Sequence, residues 1–125
     1  MNKARPHDLG LKTMRLPAGA YASIWHRVTG VLLIGVTGLV LVLLRTSLQS
    51  AQGFQDVTSW VGGAWGQSVG PVIVWVVASH LYGGIRHLIF DAGFGFGRTA
   101  SQRSAVLVMA LALITAFIAA LAWPS

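Results

Sequence analysis

Three stretches of this chain are long enough to cross a lipid bilayer and carry almost no charge, and this limits its fold more than any other feature. The first reads VTGVLLIGVTGLVLVLL, residues 28 to 44, and is bracketed by Arg27 and Arg45. Those arginines are eighteen positions apart, which is roughly 27 Å along a helix and close to the hydrocarbon thickness of a bilayer, about 30 Å. The second lies within Val69 to Phe90, and Pro71 would suit its first turn, where a missing N–H does no harm. The third, AVLVMALALITAFIAALAW, runs from Ala105 to Trp123 and ends on a tryptophan suited to the headgroup region. Composition agrees. The chain is 54% hydrophobic and 10% charged and contains no glutamate, whereas a soluble domain carries about 25% charged residues.

The expected fold class is therefore all-α: an integral membrane protein with three transmembrane helices, part of a helical bundle that a partner subunit completes. The spans are expected at about residues 20–47, 67–91 and 104–124, within one membrane domain covering 18–125. Residues 1–17 read as a cytoplasmic segment that lacks the apolar stretch of a signal peptide. That segment holds Lys3, Arg5, Lys12 and Arg15, and the second loop holds Arg98 and Arg103. The first loop pairs Arg45 with Asp56, and nothing basic follows Arg103. The positive-inside rule then puts the amino terminus inside and the carboxyl terminus outside. In such a chain the net charge of +6 reads as topology, not as nucleic-acid binding. Between spans one and two, DVTSWVGGAWGQS suggests a short surface helix capped by Asp56, with Trp60 and Trp65 at headgroup level. Gly30, Gly35 and Gly38 would permit close helix packing. The absence of cysteine excludes a disulfide framework, an iron–sulfur cluster held by this chain, and haem attached through CxxCH. GFGFG, residues 93 to 97, follows a membrane helix instead of linking a strand to a helix, so it is no dinucleotide fingerprint.

Two polar clusters break the apolar pattern. In SHLYGGIRHLIFD, residues 79 to 91, His80 and His87 are seven positions apart and share a helix face. If Arg86 marks the inner boundary, His80 lies about 9 Å deeper, and an ionisable group at that depth is a candidate functional residue. A neutral imidazole offers the lone pair that haem iron needs, and Gly83 and Gly84 would leave room beside it for a flat macrocycle. A neutral histidine hydrogen-bonded between helices accounts for the same residue. His87, beside Arg86, reads as a solvated or network residue. In SIWHRVTG, residues 23 to 30, Ser23, His26 and Arg27 share a face. Span one starts where span two ends, so this cluster and His87 belong to one membrane surface. A hydroxyl and a guanidinium there could bind a quinone carbonyl or a haem propionate. Alternatively, Arg27 snorkels to phosphates and Ser23 bonds its own helix.

These motifs, in this order, resemble the cytochrome b subunit of succinate dehydrogenase, the larger membrane anchor of respiratory complex II. RPHDLGLKTMRLP resembles the family's amino-terminal segment, SIWHRVTG its S-x-x-H-R-x-[ST]-G signature, and SHLYGGIRHLIFD its H-x-x-x-G-x-R-H-x-x-x-D signature. The resemblance spans nearly the whole chain. It implies a multi-pass protein of the bacterial inner membrane. His80 would be an axial ligand of a haem b shared with the small anchor subunit. His26, Arg27, Gly84 and His87 would line the haem environment, and Ser23 and Arg27 would bind ubiquinone. Arg86 and Asp91 would be structural or propionate-side groups. FAD, the succinate site and the iron–sulfur clusters would lie in the flavoprotein and iron–sulfur partner subunits, and no catalytic residue is assigned to this chain. The competing readings are a menaquinone-linked fumarate reductase anchor, a haem-free structural anchor, and a small transporter or channel subunit.

Overall fold

The computed structural model describes residues 18–95 and 97–124; the expected amino-terminal segment lies outside them. Four helices account for the described residues: α1 (Ala18–Gln49), α2 (Ala51–Gly62), α3 (Ala64–Asp91) and α4 (Arg98–Leu121), with no strand among them. The three long ones, α1, α3 and α4, are long and apolar enough to span a membrane. Their side chains point outward as lipid requires: Ile34 is 75% and Leu48 77% exposed. Most of the residues sealed between helices are small, among them Ala22, Ala78, Ala105 and Ala112. Membrane helices gain no hydrophobic drive from meeting each other, so close backbone approach through small residues is what packs them.

α1 and α3 run antiparallel. Gly30 lies against His80, while Gly83 and Gly84 lie against His26, four positions earlier on α1. At the end of α3, Arg86 reaches Gly19 near the start of α1 and Ser101 on α4. The start of α1, the end of α3 and the start of α4 thus share one membrane surface. Gly93 and Gly95 adopt positive φ of 91° and 81° in the turn between α3 and α4, a conformation that glycine reaches without steric cost.

Several boundary expectations are corrected. Ser50, not Asp56, caps α2: its extended backbone starts the helix and its Oγ accepts from Gly53 N at 3.0 Å. Asp56 lies inside α2, where Gln52 Nε2 donates to it at 2.9 Å. Pro71 sits well inside α3, not in its first turn, because the helix extends back to Ala64. Gln67 therefore has no main-chain N–H from position 71 to accept. α4 begins at Arg98, so its first turns are polar. Of the three mid-helix glycines expected to permit close packing, Gly30 meets a neighbour, while Gly35 and Gly38 face open space among the described residues. Trp123 does more than mark the interface. Its Nε1 donates to Val61 O at 3.0 Å, and its ring lies where a side chain at Gly70 would be. This closes the carboxyl-terminal end of α4 onto α2 and α3.

Candidate functional site

The two histidine motifs meet between α1 and α3. The rings of His26 and His80 stack, with centroids 4.2 Å apart and planes 11° apart, and His87 tilts toward His26 at 5.0 Å. Glycines on the opposite helix admit each ring. A Cβ at Gly83 would lie 3.0 Å from His26 Cδ2, one at Gly84 3.4 Å from His26 Nε2, and one at Gly30 3.1 Å from His80 Cε1. The room made by the double glycine is therefore taken by the His26 ring.

The tautomer of His80 follows from its neighbours. Its Nδ1 lies 3.2 Å from the His26 carbonyl, and a carbonyl only accepts, so Nδ1 carries the proton. Thr29 Oγ1 stands 3.4 Å from the same nitrogen. Its own hydroxyl proton goes to the carbonyls of Trp25 and His26, both at 3.0 Å, so toward His80 it too accepts. Nε2 of His80 is left as a bare lone pair with no hydrogen-bond partner among the described residues. A ligating histidine is commonly held in this way, with its second nitrogen tied to a backbone carbonyl. His26 Nε2 is buried and without a partner among the described residues. Burying such an atom unpaired costs about 1–3 kcal/mol, so the cluster is chemically unfinished. The chemistry of His80 fits an axially ligated haem: an imidazole whose Nδ1–H is held by a carbonyl and whose Nε2 lone pair is free.

Ser23 is half-buried and Arg27 exposed on the adjoining side of α1. Neither has a hydrogen-bond partner among the described residues, which leaves a hydroxyl and a guanidinium available to an oxygen acceptor. Asp91 is exposed, four positions beyond His87 and hence on the histidine face of α3.

Arg86 takes no part in this cluster. It is 4% exposed and turned toward α4, where Nε donates to Ser104 Oγ at 3.0 Å and Nη2 to Ser101 O and Oγ at 3.1 Å. Its guanidinium lies 4.4 Å from the centre of the Phe90 ring. Sequence reasoning missed Thr29, although it stands in the first motif three positions after His26. Ser101 and Ser104 carry no sequence signal beyond small polar residues early in a membrane helix.

The family model for the succinate dehydrogenase/fumarate reductase transmembrane subunit matches residues 1–120. The chain is 31% identical over 129 residues to the succinate dehydrogenase cytochrome b556 subunit of Coxiella burnetii, covering 95% of this chain and 96% of the relative. It is 31% identical over 116 residues to the subunit of the same name from Paracoccus denitrificans, covering 90% and 86%.

Proposed function

This chain belongs to the succinate dehydrogenase/fumarate reductase transmembrane-subunit family, and on that premise we propose that it is the larger membrane anchor of a succinate:ubiquinone oxidoreductase, holding haem b and helping to bind the quinone. The observation that carries this reading is the state of His80: Nδ1–H committed to the His26 carbonyl, Nε2 free to ligate. His80 would be the axial ligand from this chain, with a small anchor subunit supplying the other. His26, Arg27, Gly84 and His87 would form the surroundings of the macrocycle. When bound, the haem would supply a one-electron relay beside the quinone.

Ser23 and Arg27 orient a quinone carbonyl oxygen. Preset donors of this kind stabilise the negative charge that develops as quinone is reduced. The positive-inside pattern supports an amino terminus on the cytoplasmic side; in the bacterial inner membrane of this reading the pocket would open there, and protons would reach the reduced quinone from the cytoplasm. A three-span chain would otherwise leave Ser23, Arg27 and the histidines facing lipid, which is the reason to expect a membrane partner on the open side of α1 and α3. Flavoprotein and iron–sulfur subunits would deliver the electrons. Both curated relatives are succinate dehydrogenase subunits by name, which favours succinate oxidation over fumarate reduction. Ser23→Ala and Arg27→Leu are expected to lower quinone reduction at least tenfold, while succinate oxidation with an artificial dye acceptor persists. Equal loss of the two activities would contradict the assignment.

A further inference from the structure

On the far side of α3 from the histidines, α3 and α4 diverge and leave a groove of about 290 Å³. Its walls are apolar, from Ile85 and Ile89 on α3 to Leu107 and Leu111 on α4, and at the α3–α4 turn it is headed by Arg86 and Ser104. We propose that this groove binds an anionic phospholipid, one acyl chain lying between α3 and α4 and the headgroup phosphate meeting Arg103 and Arg86.

Charge and placement support that occupant. Arg86 is nearly sealed from solvent, and its described partners are neutral: two serine oxygens, one carbonyl and an aromatic face. Its Nη1 has no partner among the described residues. A guanidinium at membrane depth is costly, and a phosphate is the group it pairs with most effectively. Arg103 is exposed and stands three positions after Ala100 and four before Leu107, both groove residues, so it lies on the groove's flank. The acid nearest in sequence, Asp91, is five residues beyond Arg86, about 140° around α3, and does not offset the charge. The groove is open along helices that face hydrocarbon, so its natural occupant is a lipid chain. A phosphate carried on that chain reaches the arginines at the surface, where basic pockets between membrane helices recognise anionic headgroups.

The test uses the whole complex in mild detergent, stripped of lipid, with thermal unfolding followed after adding dioleoylphosphatidylglycerol, dioleoylphosphatidylcholine or inorganic phosphate. Phosphatidylglycerol is expected to raise Tm by a few degrees more than phosphatidylcholine, and phosphate alone to have no effect. Arg103→Gln and the groove-filling Ala100→Phe should each abolish the difference between the lipids. Arg98→Gln, at the same membrane surface but on another flank of α4, should keep it. Should Ala100→Phe fail to assemble, Arg103→Gln, which alters an exposed side chain, decides the matter. Equal effects of the two lipids on the wild type would overturn the proposal, as would a full difference in Arg103→Gln or a rise with phosphate alone. The first of those outcomes is also what a groove covered by protein would give.

Discussion

The two faces of α3 treat their polar side chains in opposite ways. Toward α4 the groups find protein partners, Arg86 Nη1 at the edge of the groove excepted: Arg86 holds Ser101 and Ser104, and Tyr82 OH meets Thr115 Oγ1 at 3.0 Å. Toward α1 the contact is left incomplete, with a bare lone pair on His80 of α3 and an orphaned Nε2 on His26 of the facing α1. In hydrocarbon an unpaired polar atom is costly. Satisfied groups therefore read as structure, and unsatisfied ones as places kept for a ligand. Polarity alone does not separate the two cases, because the same helix carries both.

The strongest challenge to this division is Arg86→Leu. Removing a nearly buried cation with three hydrogen bonds should cost on the order of 3 kcal/mol, seen as lower yield and Tm of the assembled complex. A variant that assembles with wild-type stability would show that the α4 face is not structural. Tyr82→Phe should cost about 1 kcal/mol and leave the haem spectrum and quinone activity unchanged; a spectral change would mean that the two faces are coupled. The smallest stability effect is expected for Thr29→Val, because a hydroxyl bonded to its own helix turn adds little. There the informative reading is the haem midpoint potential. Loss of one acceptor from His80 Nδ1–H weakens the donor that tunes the ligand, and an unmoved potential would remove Thr29 from the site.

Much of this was legible in the sequence. The three spans follow from uncharged runs, and hydrocarbon permits only helices there. The seven-residue spacing of His80 and His87 puts both on one face of α3, which the structure turns toward α1, and the shared surface of the two motifs follows from antiparallel spans. Three things were not legible, each for a physical reason. Helix ends depended on caps: Ser50 outcompetes Asp56, and α3 extends through Pro71 back to Ala64. The partners of Arg86 depended on rotation about α3, which turns it away from the neighbouring His87. The role of Gly83 and Gly84 depended on which ring enters their gap, and His26 is the one that does.

The most direct test of the central claim is a reduced-minus-oxidised optical spectrum of the purified complex, wild type beside His80→Ala, with Tyr82→Phe as the control from the satisfied face. A b-type haem signal in the wild type that persists in Tyr82→Phe and is lost or displaced in His80→Ala is the expected result. An unchanged signal in His80→Ala would mean that the open nitrogen between α1 and α3 does not hold the haem.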